Sequence, residues 1–338
     1  MTFNLRQSVK VLLRLLITVI LLIWVFKQVD PSQFRQTIKS AKWQYVGSVW
    51  GLTVILFWLR SFKMKMILTV QGCHAEVGRI FGATVVTALY SLVLPGILST
   101  GVKWYILKKD TGRGSNILSS MVYNQLSTLC IMTSFGIAAL MFTNPVLLIP
   151  DTSTPNWVLP LVCALLLVAM FAILILVFRS DSDGRMARGA PLLLRPLPTG
   201  LRTKLESLLE QAAVFHKERL SFHTKIALFT TLDTLIGGAL TYYLAAQAVS
   251  ISVPLGVYTW LCAVIYVLGR LPVTVASLGI RESMSVGLLA MYGVDKSAAL
   301  LMSMILFSAL VFMALIGAGY QLAWSGKRHV SKTPSERS

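Results

Sequence analysis

Nine long apolar segments restrict the folds that are open to this chain. They lie at about 11–27, 43–60, 80–95, 117–141, 157–178, 226–248, 254–270, 273–293 and 297–323. Several reach the length of about 17–25 residues that a helix needs to cross about 30 Å of hydrocarbon. Their apolar runs are continuous rather than alternating, which argues against a transmembrane barrel. The segments therefore predict an all-α, polytopic integral membrane protein.

The composition supports this fold class and narrows the classes of function. Charged residues make up 13% of the chain, whereas they are about a quarter of a soluble domain. The formal net charge of +18 comes largely from Lys and Arg in short connectors, so we assign it to helix orientation and anionic lipid headgroups rather than to nucleic acid. The four cysteines have no paired spacing and the four histidines lie outside the apolar segments. We therefore expect no disulfide framework, metal site or cofactor.

The distribution of Lys and Arg predicts which connectors face the cytoplasm. Connectors 142–156 and 249–253 contain neither residue, whereas connector 179–225 contains nine and the tail after 324 is also basic. We therefore place the first two outside and the others in the cytoplasm. If all nine segments crossed, the basic N-terminus and a connector with Arg60, Lys63 and Lys65 would lie outside, against the same rule.

A re-entrant segment removes this conflict. The apolar part of 80–95 is short and ends at Pro95-Gly96, which is more typical of a re-entrant hairpin than of a crossing. About eight crossings plus this hairpin put both termini in the cytoplasm. The membrane domain then covers 1–324, with halves at about 1–178 and 226–324, a basic connector 179–225, and a basic tail at 325–338.

Two further segments have a predicted role at the membrane. The first apolar segment follows a basic start and lacks a small-x-small cleavage site, so we predict an uncleaved signal anchor. Residues 201–220 place their apolar side chains on one helical stripe, which is typical of an interfacial amphipathic helix.

Two of the apolar stretches are broken in the same way. SLVLPGILSTGVKW (91–104) and GRLPVTVASLGIRES (269–283) both contain Leu-Pro, then Ser-x-Gly, a β-branched residue and a cation. Such interruptions in corresponding positions of two halves point to the substrate site of a transporter. The predicted structural breaks are Pro95, Gly96, Gly101, Pro272 and Gly279.

The breaks also predict an anion site. Free amide donors at the start of a half-helix favour an anion, and Lys103 and Arg281 add full positive charge. Arg281 and Glu282 are costly inside hydrocarbon, so we expect them to face a polar cavity. Alternatively, Arg281 lies near the headgroups and Glu282 only pairs with it. The candidate substrate-binding residues are Lys103, Arg281, Glu282, Ser99, Ser277, Asp233, Asn124 and Gln125.

The last three of these candidates have alternative roles. Asp233, inside an apolar span, could pair with Arg281 or Lys103, bind a coupling proton or cation, or cap a local break. Asn124 and Gln125 could instead bridge helices by hydrogen bonds.

These motifs give the chain a family resemblance. LPGILSTGVKWYIL, LPVTVASLGIRESMSVGLLAMYGV and the basic stretch RSFKMKMILTVQG resemble the integral-membrane, flippase-like domain of lysylphosphatidylglycerol synthases and the standalone bacterial and archaeal proteins that share it. The chain has Lys103 where that family usually has arginine, and Thr100 and Asn124-Gln125 where it often has charged residues. We expect a standalone member without the aminoacyl transferase domain. The resemblance implies a prokaryotic plasma membrane protein that handles anionic or polyprenyl-linked lipids and moves them between leaflets.

Three classes of function therefore stay open. The first is a flippase-like protein that binds an anionic phospholipid or a polyprenyl-phosphate-linked lipid in a cavity between broken helices. The second is a membrane enzyme or enzyme subunit that acts on a lipid-linked sugar or phosphate, although no H-E-x-x-H, nucleophile elbow or ATP-binding motif is present and no catalytic residue is assigned. The third is a scaffold that holds a glycosyltransferase or synthase through connector 179–225.

Overall fold

The described secondary structure is entirely helical. A computed structural model describes residues 30–92, 94, 96–148, 155–179, 215, 218–270 and 278–330. The helices are α1 (Pro31–Ser40), α2 (Trp43–Val70), α3 (Val77–Ser91), α4 (Gly96–Thr111), α5 (Gly114–Thr143), α6 (Val158–Arg179), α7 (Leu220–Thr234), α8 (Thr241–Ala248), α9 (Leu255–Leu268), α10 (Ile280–Ala290) and α11 (Lys296–Val330). A 3₁₀ turn (Pro145–Leu148) follows α5, and a π-helical turn (Leu235–Leu240) joins α7 to α8.

Long apolar helices confirm the predicted fold class, an all-helical polytopic membrane protein. In the described part of the chain, three helices are long and apolar enough to span a membrane: Trp43–Val70, Gly114–Leu147 and Lys296–Trp324. The helix α7, the π turn and α8 follow one another without interruption, so they form a fourth helical run of comparable length.

Contacts between helix ends show that several helices share one end of the bundle. Arg79, at the start of α3, pairs with Asp110, at the end of α4. Its guanidinium also lies 4.0 Å from the ring centroid of Trp324 in the last part of α11. At the start of α5, Arg113 Nη1 donates to the carbonyl oxygen of Gly72, just after α2, at 3.1 Å. We call this the basic end, because Lys108 and Lys109 also lie there on the last turn of α4.

The remaining helix ends meet at the opposite end of the bundle. The amide of Lys42, just before α2, donates to the carbonyl oxygen of Ala248, the last residue of α8, at 2.9 Å. Asn144, which ends α5, donates through Nδ2 to the carbonyl oxygen of Asn156, just before α6, at 2.8 Å. The long helices therefore run from one end of the bundle to the other.

Each Leu-Pro break lies between two short helices that pack against each other. Helices α3 and α4 form hairpin 1 (77–111), whose two free ends meet at the basic end. Helices α9 and α10 form hairpin 2 (255–290), whose free ends meet at the opposite end, where Trp260 and Tyr292 have ring centroids 6.5 Å apart. The two hairpins therefore enter the bundle from opposite ends.

The arms of both hairpins are short. They have 15 and 16 residues in hairpin 1 and 14 and 11 in hairpin 2. At 1.5 Å per residue these arms extend about 16–24 Å, less than the roughly 30 Å of a hydrocarbon core. The short arms of hairpin 1 agree with the expectation for 80–95, and its re-entrant course in the membrane stays a prediction. Segments 254–270 and 273–293, which were expected to cross separately, contain α9 and α10, and these two helices pack against each other as two arms.

Hairpin 1 is held against α11 by a close backbone approach. Gly317 of α11 lies on the carbonyl of Val85 in α3, and a Cβ at Gly317 would overlap that carbonyl. Hairpin 2 packs with α2, α8 and α11 in the largest cluster of buried apolar residues, which includes Tyr258, Leu261, Leu289 and Leu300. Both hairpins are therefore integral parts of the bundle.

Two sequence expectations about local structure were wrong. The connector with Arg60, Lys63 and Lys65 is part of α2, which continues to Val70 because the residues after Lys65 are again apolar helix formers. Gly101 does not break the chain but lies inside α4, since a helix tolerates a single glycine at a cost of about 0.5–1 kcal/mol.

Other predicted features are only partly described. The helix α4 begins at Gly96, and Gly279 precedes α10 with φ of 86°. Pro95, Pro272, Ser277, the first apolar segment, most of connector 179–225 and the end of the tail lie outside the described residues. Of the predicted amphipathic helix, Phe215 is buried at the basic end and stacks on Tyr123 with ring centroids 4.4 Å apart.

Candidate functional site

Lys63 is a buried cation in the bundle. It lies on α2, and only 2% of its surface is exposed. Its Nζ donates to Thr128 Oγ1 of α5 at 3.0 Å and to Thr230 Oγ1 of α7 at 3.3 Å. Both acceptors are neutral, and no carboxylate of the described residues lies within ion-pair distance of Lys63. The hydroxyl groups therefore position the ammonium group without neutralising its charge.

Arg60 lies one helical turn before Lys63, and it binds the intramembrane carboxylate. Arg60 Nε donates to Asp233 Oδ1 at 2.8 Å, and the Asp233 side chain is 8% exposed. The sequence analysis considered Lys103 or Arg281 as the partner of Asp233. The partner is Arg60. Helix α2 continues past residue 60 and packs on α7, so the Arg60 guanidinium lies beside Asp233.

The π turn begins two residues after Asp233 and widens the helix at the site. Single π turns of this kind occur frequently at functional sites. Gly237, within the turn, leaves room for Arg60: a Cβ at this position would lie 3.3 Å from Arg60 Nη2 and 3.4 Å from Asp233 Oδ1. The irregular helix therefore accommodates the Arg60–Asp233 pair.

Hairpin 1 adds a third cation. Lys103 of α4 is half-buried, and the positive charges of Lys63 and Arg60 lie within electrostatic range of its ammonium group. Ser99, one turn earlier on α4, is buried and has interaction partners in the structure. Three like charges repel one another, so this arrangement favours an anion among them.

The tip of hairpin 2 reaches the same region. Tyr266 lies within electrostatic range of Arg60. Its hydroxyl oxygen accepts hydrogen bonds from Gln125 Nε2 at 3.2 Å and from Arg270 Nη2 at 2.8 Å. Gln125 therefore connects α5 to hairpin 2. The neighbouring Asn124 has a buried Oδ1 that accepts no hydrogen bond within the described part of the chain.

We call Arg60, Lys63, Lys103 and Arg270 the cation cluster. Only one carboxylate of the described residues, Asp233, is ion-paired with it. Lys63 lies seven residues before the end of α2, about 10 Å along the helix from the basic end. Asp233 neutralises one of these charges, so the rest of the cluster keeps a positive charge that can bind a phosphate group, whose oxygens accept hydrogen bonds from ammonium and guanidinium groups.

Arg281 and Glu282 form a separate buried ion pair. Arg281 Nη2 lies 2.7 Å from Glu282 Oε1, and the two side chains are 10% and 3% exposed. Ser303 Oγ lies 3.2 Å from both Arg281 Nε and Glu282 Oε1. The Gly279 amide donates to Glu282 Oε2 at 2.7 Å, so the Glu282 carboxylate caps the start of α10. This network ties the second arm of hairpin 2 to α11.

The structure divides the predicted site residues between these two places. Lys103, Ser99, Asp233 and Gln125 belong to the elements around the cation cluster. Arg281 and Glu282 form the separate ion pair at the start of α10, and the Arg281 guanidinium lies 5.2 Å from the ring centroid of Phe307 on α11. Their predicted roles in substrate binding stay predictions.

Sequence reasoning missed Arg60, Lys63 and Arg270 as site residues. Cations next to an apolar segment usually mark its boundary, so Arg60 and Lys63 were assigned to a connector. Their spacing of three residues puts them on one helical face, and MILTV (66–70) continues the apolar run after them. These two features together could have identified them.

Comparisons with known proteins place the chain in a family. No curated protein and no solved structure matches it. A family model described as the lysylphosphatidylglycerol synthase TM region matches residues 11–319. The chain therefore belongs to the lysylphosphatidylglycerol synthase transmembrane region family.

Proposed function

We propose that the chain binds a phosphate-bearing anionic lipid at the cation cluster and moves it between the leaflets of the membrane. The observation that carries this proposal is the presence of Arg60, Lys63 and Lys103 around one carboxylate inside a bundle of spanning length. Lys63 is 2% exposed; a buried cation is costly in hydrocarbon, and an anionic headgroup would offset that cost. The cargo class is an anionic phospholipid or a polyprenyl-phosphate-linked lipid, in agreement with the resemblance to the flippase-like domain.

The two hairpins suggest how a headgroup crosses. We place the basic end in the cytoplasm of a prokaryote, since Lys and Arg concentrate there. Hairpin 1 is then re-entrant from the cytoplasmic side and hairpin 2 from the outer side, which gives an inverted pair. Lys103 and Arg270 come from the two hairpins, so a headgroup between them contacts elements that reach opposite faces of the membrane.

This topology has fewer crossings than the sequence analysis predicted. The first apolar segment, α2, α5, α6, the α7–α8 run and α11 cross, and both hairpins return to the side on which they begin. Both termini are then cytoplasmic, as expected. The connector 28–42, with Arg35, Lys39 and Lys42, faces outward.

A vesicle assay tests the proposal. The purified full-length chain is reconstituted in liposomes with fluorescently labelled phosphatidylglycerol, and the fraction of label accessible to dithionite is followed with time. We expect Lys63→Gln to slow movement about tenfold or more, since it removes a desolvated charge contact with the headgroup. Lys65→Gln is the matched control, because Lys65 lies two residues away on α2 and is exposed.

Two outcomes of the vesicle assay would contradict the proposal. Equal rates for Lys63→Gln and Lys65→Gln would show that the cation cluster does not handle the headgroup. A wild-type rate equal to that of protein-free vesicles would contradict lipid movement itself.

A further inference from the structure

A groove on the surface of hairpin 1 lies outside the site described above. It is a cavity of about 410 Å³ between α3, α4 and the last part of α11. The residues that matter for its chemistry are Tyr90, Leu98, Gly101, Val102, Tyr105 and Trp324. Its volume falls within the range of small-molecule sites, about 300–1,000 Å³.

The groove presents apolar surface. Gln321 Nε2 donates to the Tyr90 hydroxyl oxygen at 3.3 Å, and none of the described lining residues is charged. The floor of the groove is open at Gly101, where an added Cβ would meet no atom within 4 Å. A groove of aliphatic and aromatic walls without free charge fits a hydrocarbon chain.

The groove and the cation cluster share helix α4. Leu98, Gly101, Val102 and Tyr105 recur at the spacing of one helical stripe, and they line the groove. Lys103 lies on the next stripe, toward the cation cluster. Lys103 follows Val102 directly in the chain, so the groove and the cation cluster are lined by neighbouring residues of one helix.

We propose that this groove holds one hydrocarbon chain of the lipid whose phosphate occupies the cation cluster. The inference rests on the proposed function and adds a second point of recognition to it. The occupant is argued from continuity, since Val102 and Lys103 join the two surfaces on one helix. The lipid then lies across α4, with its headgroup inside the bundle and its chain on the outer face of hairpin 1.

Photo-crosslinking tests this inference with the full-length chain in nanodiscs. The probe is phosphatidylglycerol with a diazirine in one acyl chain, and the labelled peptides are identified by mass spectrometry. We expect label on residues 98–106. In Gly101→Phe we expect about a tenfold decrease in that labelling, since the phenyl ring fills the groove. Gly51→Phe is the matched control, because Gly51 on α2 is exposed and also has open space around its Cβ position.

Two further measurements identify the source of the label. In Lys63→Gln, labelling of 98–106 is expected to fall with headgroup binding, because one lipid occupies both places. Binding of glycerol 1-phosphate, which has no hydrocarbon chain, is expected to be equal in wild type and Gly101→Phe. Leu98→Trp fills the groove from a second position and is expected to reproduce the loss if Gly101→Phe does not fold.

Each contrary outcome overturns a specific statement. Label on 98–106 that persists unchanged in Lys63→Gln would identify an ordinary bilayer lipid in the groove and overturn the inference. Cation-dependent lipid binding that survives in both Gly101→Phe and Leu98→Trp would overturn it as well, and would leave the proposed function intact. Lipid binding that is independent of Lys63 and Lys103 in the first place would overturn the proposed function together with this inference.

Discussion

The buried pair of Arg281 and Glu282 gives the sharpest prediction about stability. Glu282 Oε1 accepts from Arg281 Nη2 at 2.7 Å and Nε at 3.2 Å, and Oε2 accepts from the Gly279 amide at 2.7 Å. Glu282→Gln removes the negative charge and turns one oxygen into a donor, so a buried guanidinium loses its counter-charge. Breaking a buried pair by removing one partner costs about 3–5 kcal/mol. We expect this loss in the free energy of unfolding.

Unfolding in mixed micelles, followed by circular dichroism during titration with SDS, measures the effect. Glu76→Gln is the control, because Glu76 is exposed and its side chain makes no cap hydrogen bond; its effect should be within about 0.5 kcal/mol. The double variant Arg281→Met, Glu282→Leu is expected to be more stable than Glu282→Gln, since it leaves no unpaired charge. A cost below about 1 kcal/mol for Glu282→Gln, as for an exposed pair, would refute this reasoning and favour the alternative in which Arg281 faces water and ligand.

Three further predictions follow from single positions. Gly317→Ala should lower the free energy of unfolding by about 1–3 kcal/mol, because the added Cβ overlaps the Val85 carbonyl. Gly319→Ala is the control, since its Cβ position has open space around it and no such loss is expected. Equal effects of the two variants in the SDS titration would contradict the contact between Gly317 and Val85. Gly279→Ala should cost about 1–2 kcal/mol, since φ of 86° is unfavourable for a residue with a side chain, and an unchanged unfolding midpoint would contradict that geometry. In a variant whose three other cysteines are alanine, Cys73 should react slowly with maleimide at neutral pH. Its reaction rate should still increase with pH in the range where the rate of a free thiol, with pKa about 8.5, has become constant. The reason is that burial raises the pKa of the Cys73 thiol and keeps it protonated; a rate equal to that of free cysteine at pH 7 would contradict it.

The fold class could be predicted because the length of an apolar run is a local property of the sequence. Hairpin 1 was also predictable, since Pro95-Gly96 interrupts a run that is too short to cross. Hairpin 2 was not, because 254–270 and 273–293 are each long enough to suggest a crossing. Pro272 and Gly279 indicated an interruption between the two segments, but an interruption alone does not show that α9 and α10 pack against each other as two arms.

The candidate site was predicted in part. Lys103 and Asp233 stood out as polar residues within apolar surroundings, and both lie at the cation cluster. The partner of Asp233 could not be predicted, because Arg60 is 173 positions away in the chain and only packing of α2 on α7 joins them. Arg281 and Glu282 looked like ligand-binding residues for the same reason as Lys103, but their charges are matched to each other within one turn of α10.

The short arms of the two hairpins have an electrical consequence. An arm of 11–16 residues extends about 16–24 Å, less than the roughly 30 Å of a hydrocarbon core. Under the proposed function, a phosphate that passes between the two hairpins carries its negative charge through part of the transmembrane voltage. Each elementary charge that crosses the full voltage exchanges about 2.3 kcal/mol per 100 mV with the field. The membrane voltage would then favour one direction of the proposed headgroup movement.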